Sequence, residues 1–348
     1  FLRVNVKLLI LLVFLPYNLL AQSFSGLGST AEGFANPAPN TNFNFPLDHG
    51  PHNNYRIEWW YLTANLSGED QTPYGIQWTL FRTARSPNEE NGWLSNQIWF
   101  AHAAITTPNE HFTTERFARG GIGQAGVNAE PFEAWIDEWK LVGKNFDELN
   151  LNAAGPNFAY NMSLEAEGPL VFHGDKGYSV KSSEGQASYY YSQPFFKMKG
   201  TLTLPEGDIN VEGNAWLDRE WSSQPLSENQ LGWDWFSLSL DDGAKLMGFQ
   251  LRQTDGVNFS SSSWIEPDGS LTSYGNNEFV AEPVKESNVY DKKIPTEWRL
   301  KLKDQNLDVI VKALNPNSWM NLSIPYWEGP VAVSGSHSGL GYLEMTGY

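Results

Sequence analysis

The chain has 348 residues, no cysteine and a formal net charge of −17, from 23 Lys and Arg against 40 Asp and Glu. The acidic balance argues against nucleic acid as a partner, because a phosphate backbone requires a basic surface. The lack of cysteine excludes disulfides, thiolate zinc sites, iron–sulfur clusters and a cysteine nucleophile. Aromatic residues make up 14% of the chain, so large rings must fill much of its interior.

The first 21 residues have the composition of a secretory signal peptide. Arg3 and Lys7 precede an apolar run from Leu8 to Leu15, and the small residue Ala21 marks the expected cleavage site. The run is too short to span a membrane, and no cysteine is present to carry a lipid anchor. We therefore expect a periplasmic or secreted protein with no integral membrane segment in the mature chain.

Residues 22–44 are rich in Gly, Ser, Asn and Pro and have no periodicity, which predicts a flexible leader. From residue 45 onward, apolar and polar residues alternate in short runs such as Gly75 to Arg82, separated by turn-forming residues. Only short helices are expected, one of them near residues 131–139. A chain of this kind is typical of antiparallel β-sandwiches or closed β-barrels.

One pattern occurs twice, about half the chain apart. Glu58-Trp59-Trp60 is followed by a predicted strand that ends at Arg82, and Asp234-Trp235-Phe236 is followed by one that ends at Arg252. Two similar β-domains would explain this repeat. The alternative is a chance match in a chain so rich in aromatic residues.

Two familiar catalytic motifs are not supported by their surroundings. Residues 121–126 match G-x-G-x-x-G, but a polar segment precedes them instead of an apolar strand, so they are interpreted as a glycine loop. Residues 335–339 carry His337 where a hydrolase elbow requires Ser, and the sequence contains no H-E-x-x-H motif. Asp48, His49 and His52 offer metal-binding groups, but nothing fixes a further ligand, so we expect no metal site.

The segment from Glu58 to Tyr61 opens the predicted folded region. Alternation places Glu58 and Trp60 on one face of a strand, with Trp59 and Tyr61 on the other. A carboxylate buried among rings requires a partner. Glu58 therefore either forms an Arg–Glu pair that closes a barrel end or is an acid of raised pKa that faces a ligand cavity. His102, among small residues in a predicted strand, is either a core histidine or a proton shuttle.

Carboxylates and indoles are densest between Ala215 and Phe236. In an extended strand Asp218 and Glu220 share one face, while Arg219 and Trp221 share the other. A carboxylic acid beside Trp suits the addition of water to a C=C bond, since the acid protonates the alkene and the rings stabilise the cation. The alternative is an inter-domain latch in which Asp218, Arg219, Glu220 and Asp234 form a salt-bridge network.

Two segments near the C-terminus again place an acid next to a ring. They are Tyr326-Trp327-Glu328-Gly329 and Gly341-Tyr342-Leu343-Glu344. They either line a second cavity or close a barrel.

Together these motifs resemble the AttH/carotenoid 1,2-hydratase family. The resemblance is carried by six segments: Glu58-Trp59-Trp60-Tyr61, His102, Leu217 to Trp221, Gly232 to Phe236, Tyr326 to Gly329, and Gly341-Tyr342. It implies an all-β chain of two tandem lipocalin-like antiparallel β-barrels, which we place at residues 45–224 and 225–348. In the carotenoid branch it further implies water addition to a C=C bond without a cofactor. Arg219 stands where a carotenoid hydratase is expected to have His, and the family label of secreted hydrolase gains no support from the residues.

We therefore expect an exported protein that binds a hydrophobic small molecule such as an isoprenoid, polyene or lipid. It is either a hydratase-like enzyme that needs no cofactor or a non-catalytic carrier of such a ligand. The expected catalytic residues are Asp218, Glu220, Trp221 and Asp234. The expected ligand-binding residues are Glu58, Trp60, Tyr61, His102, Arg219, Trp233, Trp235, Tyr326 and Trp327.

Overall fold

The computed structural model describes residues 32–88, 90–224 and 229–348. Within these ranges the chain forms β-strands, the three short 3-10 helices Leu47–His49, Gly92–Leu94 and Lys303–Gln305, and no α-helix. In this part of the chain no helix is long and apolar enough to cross a membrane. The strands pair antiparallel in two sheets, each curled into a nearly closed barrel. The expected fold class is confirmed.

The first barrel has 13 strands in the order β4-β3-β2-β1-β13-β12-β9-β8-β7-β6-β5, with β10 and β11 paired to β12. The strands are β1 (Ile57–Gly68), β2 (Pro73–Ala84), β3 (Gln97–Thr106), β4 (His111–Arg119), β5 (Ala125–Asn128), β6 (Phe132–Ile136), β7 (Trp139–Gly143), β8 (Glu148–Ala154), β9 (Ala159–Ala166), β10 (Val171–Phe172), β11 (Tyr178–Val180), β12 (Ala187–Leu204) and β13 (Gly207–Ser222).

The second barrel has 10 strands in the order β17-β16-β15-β14-β23-β22-β20-β19-β18, with β21 paired to β22. The strands are β14 (Gln230–Leu240), β15 (Lys245–Gln253), β16 (Phe259–Ile265), β17 (Leu271–Tyr274), β18 (Phe279–Val289), β19 (Lys292–Leu302), β20 (Leu307–Ala313), β21 (Trp319–Met320), β22 (Tyr326–Gly335) and β23 (Gly339–Met345).

The two barrels repeat one topology. The path β4-β3-β2-β1-β13-β12 of the first has its counterpart in β17-β16-β15-β14-β23-β22 of the second. The repeated sequence pattern lies at matching places in it: Glu58 on β1 forms a salt bridge with Arg82 on β2, and Asp234 on β14 forms one with Arg252 on β15. The predicted repeat is therefore a structural duplication and not a chance match.

Alternating side chains build a separate core inside each barrel. On β1, Trp60 and Leu62 point into the first core, whereas Tyr61 belongs to a different buried cluster. On β14, Phe236 points into the second core, whereas Trp235 does not. The period-two pattern of a strand thus gives each barrel an apolar interior and leaves an aromatic outer face.

The aromatic outer faces pack against each other between the barrels. Tyr61, Tyr190 and Trp216 of the first barrel share one buried cluster with Trp235 and Phe249 of the second. Contact is close at Gly75 on β2, where an added Cβ would lie 2.6 Å from Pro330 Cγ on β22. Because real Cβ atoms do not approach that closely, only glycine fits at this position.

One expectation differs from the structure, and part of the predicted leader makes contacts that the sequence did not indicate. Residues 132–136 form β6 instead of a helix, because their side chains alternate between buried and half-buried and Asp137, at a positive φ of 50°, turns the chain into β7. Residues 32–44, expected to be flexible, contact the first barrel: Phe43 lies against Tyr189 and Trp221 at ring-centroid distances of 6.1 and 5.7 Å.

Residues 1–31, residue 89 and residues 225–228 lie outside the described residues. The signal peptide, the first part of the leader and the domain boundary at 224/225 therefore stay predictions.

Candidate functional site

A cavity of about 120 Å³, partly open to solvent, lies between the two barrels. The surface of its lining is mostly apolar, and both barrels contribute aromatic rings to it: Trp59, Tyr61, Phe81, Tyr190, Trp233, Trp235 and Phe249. Three carboxyl groups also line it, Asp218 and Glu220 from β13 and Glu344 from β23. A mostly apolar surface interrupted by polar groups at defined places is the usual composition of a small-molecule site.

The walls of this cavity are related by the internal repeat. Trp59 on β1 has Phe81 and Glu220 as its cross-strand neighbours. Trp235 on β14 has Phe249 and Glu344 in the same positions. Each barrel therefore contributes one Trp, one Phe and one Glu to the cavity from equivalent sites.

Asp218 is held by three hydrogen-bond donors. Its Oδ1 accepts from Trp216 Nε1 at 2.6 Å and from the Ser192 hydroxyl, and its Oδ2 accepts from Tyr190 OH at 2.9 Å. Burial nevertheless raises the pKa of Asp218 to about 7, with a contribution from the charge of Glu220 and against the lowering effect of the three donors. His173 Nε2 lies 2.7 Å from Ser192 Oγ and extends this network.

Glu220 is salt-bridged. Its Oε1 lies 2.8 Å from Lys181 Nζ and also accepts a hydrogen bond from the Ser188 hydroxyl. The Lys181 ammonium lies over the rings of Tyr190 and Phe249, at 4.7 and 4.4 Å from their centroids. A cation is thereby fixed on one side of the cavity.

Glu344 has no such cation. Among the described residues no Lys or Arg forms a salt bridge with it; Trp233 Nε1 donates to its Oε1 at 2.6 Å. Burial raises the pKa of Glu344 to about 7, helped by the nearby charges of Asp218 and Glu220. The two equivalent glutamates thus have different environments, one salt-bridged and the other poised to carry a proton near neutral pH.

Glu58 belongs to a buried ion cluster in the first barrel and not to the cavity. Its Oε1 lies 2.7 Å from Arg219 Nη2 and 2.6 Å from His52 Nδ1, and its Oε2 lies 3.0 Å from Arg82 Nε. These partners hold the pKa of Glu58 below its ordinary value although burial acts to raise it. The structure therefore favours the Arg–Glu pair over an acid facing a ligand.

Arg219 has a structural role in the same cluster. Its guanidinium donates to the backbone oxygens of Trp59 and Gly50 at 2.8 and 2.9 Å and lies 3.9 Å from the ring centroid of Trp60. Trp60 and Trp221 lie in the first core. None of these three side chains lines the cavity, in contrast to Asp218 and Glu220 on the other face of β13.

The predicted inter-domain latch is not formed. Asp234 points into the second barrel, where it contacts Arg252 Nε at 3.3 Å, Gln250 Nε2 at 2.8 Å and Tyr348 OH at 2.8 Å. Arg219 pairs with Glu58 in the first barrel. Strand alternation is the reason, because Trp233 and Trp235 face the cavity and Asp234 between them must face away.

The other expected ligand-binding residues lie outside the lining. Trp327 belongs to the second core. His102 is fully buried, its Nδ1 lies 3.0 Å from Tyr326 OH, and burial lowers its pKa to about 3. Of the expected binding residues, the structure brings Tyr61, Trp233 and Trp235 to the cavity.

Asp48, His49 and His52, which offer metal-binding groups in the sequence, have other hydrogen-bond partners in the structure. His52 contacts Asp48 and Glu58, and His49 Nδ1 lies 2.8 Å from Tyr191 OH. No group of three or more metal-binding side chains is found in the described ranges.

Sequence reasoning missed Lys181 and Tyr190 and did not assign Glu344 to the site. Glu344 becomes equivalent to Glu220 only through strand pairing, which places it opposite Trp235 as Glu220 lies opposite Trp59. For Lys181 no signal existed, because it lies in a segment after β11 with no motif of its own.

The whole region that contains the barrels and the cavity matches one protein family. The model of the AttH-like family matches residues 36–348. The chain belongs to the AttH-like family. A crystal structure of an AttH protein from Nitrosomonas europaea is 30% identical to the chain, with a TM-score of 0.83, and covers 90% of this chain and 99% of its own.

More distant solved structures share the fold. Kievitone hydratase from Nectria haematococca is 14% identical, with a TM-score of 0.66, and covers 90% of this AttH-like chain and 98% of its own. CghA in complex with Sch210972 is 9% identical, with a TM-score of 0.54, and covers 92% and 95%. At these identities the likeness shows the fold alone. No curated protein matches the chain significantly.

Proposed function

We propose that this AttH-like protein binds an apolar small molecule between its barrels and adds water to a C=C bond of that molecule by acid catalysis. The observation that carries the proposal is the pair of equivalent glutamates in a ring-lined cavity, Glu344 without a cation and Glu220 salt-bridged to Lys181. Two carboxyl groups in unlike environments are the usual basis for dividing acid and base roles. The fold shared with kievitone hydratase, a hydratase by name, is consistent with this reaction class.

Glu344 is a better proton donor than Asp218. Both have a pKa raised to about 7. Both carboxyl oxygens of Asp218 already accept hydrogen bonds. One of these bonds comes from Trp216, whose indole N–H can only donate and therefore cannot accept a bond from a protonated Asp218. At Glu344, by comparison, the Trp233 indole donates one hydrogen bond, and it goes to Oε1. Asp218 is therefore assigned to positioning Tyr190, and Glu344 to proton transfer.

The reaction then needs two proton transfers. The Glu344 carboxyl donates its proton to one alkene carbon, where the π electron pair forms the new C–H bond and leaves a cation on the other carbon. The π faces of Trp59 and Trp235 stabilise that cation. Water attacks it, a C–O bond forms, and the surplus proton passes to Glu220. The sum is addition of one water, and the proton returns from Glu220 to Glu344 through solvent, so no cofactor is required.

The size of the cavity limits what enters it. About 120 Å³ compares with roughly 150 Å³ for an engineered apolar cavity that accommodates benzene. The enclosed space therefore suits one ring or one prenyl unit, and the remainder of a longer ligand would extend through the open side. We propose a ligand whose alkene lies near one end, such as an isoprenoid, a prenylated aromatic compound or a polyene.

Turnover in labelled water tests the proposal. The purified protein is incubated with a panel of terminal alkenes of these classes in H₂¹⁸O, and products are examined for one added labelled water by mass spectrometry. Glu344→Gln and Glu220→Gln are expected to lower the rate by about 10²–10⁴, the usual contribution of general acid–base catalysis.

Binding is measured separately, by fluorescence of N-phenyl-1-naphthylamine. The two Gln variants are expected to bind this probe like the wild type, whereas Trp235→Leu is expected to weaken binding. Asp234→Asn is the matched control, a buried acid outside the cavity. Binding without any ¹⁸O incorporation would reject the enzyme and support the alternative of a non-catalytic carrier.

We also propose that the protein is exported, on the strength of the signal-peptide pattern in residues 1–21. Expression of the chain in a Gram-negative host tests this. Recovery from the periplasm of a protein that begins at Gln22 is the expected result, and retention of residues 1–21 on a cytoplasmic protein would contradict it.

A further inference from the structure

A buried histidine joins the second barrel to the Asp218 network at the cavity. His173 follows β10, is fully buried and does not line the cavity. Its Nδ1 lies 2.9 Å from the hydroxyl oxygen of Ser263 on β16, in the second barrel. Its Nε2 lies 2.7 Å from Ser192 Oγ on β12, and the Ser192 hydroxyl donates to Asp218 Oδ1. The reaction described above gives this histidine no role.

The direction of these hydrogen bonds follows from the protons available. Burial, helped by the charge of Lys181, lowers the pKa of His173 to about 3, so near neutral pH the ring is uncharged and has one N–H. Because the single hydroxyl proton of Ser192 is directed to Asp218, Ser192 Oγ accepts the N–H of His173 Nε2. Nδ1 is then the bare nitrogen and accepts from the Ser263 hydroxyl. This chain of donors therefore runs one way, from the second barrel to Asp218.

A second chain of donors reaches the other oxygen of the same carboxyl group. Trp235 Nε1, also from the second barrel, donates to Tyr190 OH at 3.1 Å, and Tyr190 donates to Asp218 Oδ2 at 2.9 Å. Trp216 Nε1 donates to Oδ1. Because an indole can donate but not accept, the two tryptophans fix the direction in which these bonds run. Donors on both oxygens favour the ionised form of Asp218, although among the described residues no Lys, Arg or His forms a salt bridge with it.

The charge on Asp218 acts on Glu344, the proposed acid. Burial is the main cause that raises the pKa of Glu344, and the charge of Asp218 adds to it. Trp233 donates to one oxygen of Glu344, whereas both oxygens of Asp218 receive donors. Of two interacting acids, the one with more donors holds the charge and the other holds the proton. The remaining titratable groups that face Asp218 are Glu220 on the same strand, Tyr190 on β12, Tyr61 on β1 and Lys181, which is bound to Glu220.

We propose that His173 is a positioning residue which, through Ser192, keeps the negative charge of the cavity on Asp218 and thereby leaves the proton on Glu344. Ser263 holds the imidazole in the required tautomer from the opposite barrel. Ionised Asp218 lies in the wall of the cavity, where its charge stabilises the cation formed on the ligand. This role rests on the proposed function, but the distribution of charge can be measured without a substrate.

Carbon-13 NMR of the side-chain carboxyl groups measures the two ionisations. The protein is labelled at Asp Cγ and Glu Cδ, and Asp218→Asn and Glu344→Gln assign the two signals. In His173→Leu the chain of donors is broken, so the pH at which Asp218 ionises is expected to rise by about half a unit or more, and that of Glu344 to fall. His173→Gln retains an N–H donor and an oxygen acceptor and is expected to restore both values toward the wild type.

Ser263→Ala tests the contact with the second barrel and is expected to shift the two titrations in the same opposite directions. Ser262→Ala is the matched control, since Ser262 is the adjacent buried serine of β16 and its hydroxyl has no hydrogen-bond partner among the described residues. Both titrations are expected to stay unchanged in it. Nitrogen-15 NMR of labelled histidine, assigned with His173→Gln, is expected to show a neutral His173 protonated at Nε2 at about pH 8, where Asp218 is mainly ionised.

The opposite directions of the two shifts separate this role from a merely structural one. Circular dichroism establishes that each variant is folded, and if His173→Leu does not fold, Ser263→Ala and the tautomer of the wild-type protein test the proposal. Titrations unchanged in the folded variants, shifts of both acids in one direction, or a His173 protonated at Nδ1 overturn it, whatever the activity. Opposite shifts that are followed by the pH profile of ¹⁸O incorporation support it. Opposite shifts in a protein that hydrates no alkene support the assignment of charge to Asp218 and reject the proposed function, together with the stabilisation of a cation that rests on it.

Discussion

Replacing Glu58 with Gln removes the only carboxylate that both Arg82 and Arg219 contact as a salt bridge among the described residues. All three side chains are buried, with 0% side-chain exposure. The amide keeps the shape but not the charge, so two guanidinium groups remain in the barrel interior without an anionic partner. Removing one member of a buried pair typically costs about 3–5 kcal/mol. For a unit the size of the first barrel, a loss of 1 kcal/mol lowers Tm by roughly 2–4 °C, so we expect Tm to fall by roughly 6–20 °C.

Urea and thermal unfolding followed by circular dichroism measure this loss. Asp308→Asn is the matched control, because Asp308 also bonds an arginine, Arg299, but in an exposed pair that is expected to contribute little. Affinity for N-phenyl-1-naphthylamine should stay unchanged in folded Glu58→Gln, since Glu58 is outside the cavity. A loss below about 1 kcal/mol, the range of a surface pair, or a large loss of affinity would refute the structural role of the cluster.

Two further predictions concern the first barrel and its contact with the second. Burial acts to lower the pKa of His52, but Glu58 and Asp48 together raise it above the ordinary value of 6.5. The protonated form is therefore stabilised by folding, and the stability lost in His52→Gln should be largest below about pH 6.5 and shrink as pH rises above it, as urea unfolding across pH would show. Gly75→Val should lower the free energy of unfolding by about 1–3 kcal/mol, because the added side chain overpacks against Pro330. Gly275→Ala is the control, since an added Cβ there lies 3.3 Å from the flexible Glu278 side chain. Equal stabilities of the two variants would contradict the tight contact between the barrels.

The fold could be predicted because the alternation of apolar and polar residues along each strand can be seen in the sequence. On β1, Trp60 and Leu62 point inward and Tyr61 points outward. The same alternation predicted that Asp218 and Glu220 share one face of β13, and both line the cavity. Alternation also places Asp234 on the opposite face of β14 from Trp233 and Trp235. Its assignment as a cavity acid together with these two residues was therefore inconsistent with the strand pattern.

The site was predicted less completely, because a sequence does not say which outer face meets the other barrel. Arg219 has the chemistry of a ligand-binding residue, but its position on the inner face of β13 commits it to Glu58. Lys181 reaches Glu220 from a segment adjacent to β12, a contact that depends on the packing of distant strands. Such contacts follow from tertiary structure and leave no local pattern.

The equivalence of Glu220 and Glu344 has a consequence for how such a site can become asymmetric. In a homodimer of single barrels, every substitution would change both glutamates at once, and two like acids would share one titration behaviour. Because both barrels are encoded in one chain, Lys181 is bound to one glutamate, while the other retains a neighbouring acid at Glu328. Duplication within a single gene thus frees the two halves of one cavity to diverge independently.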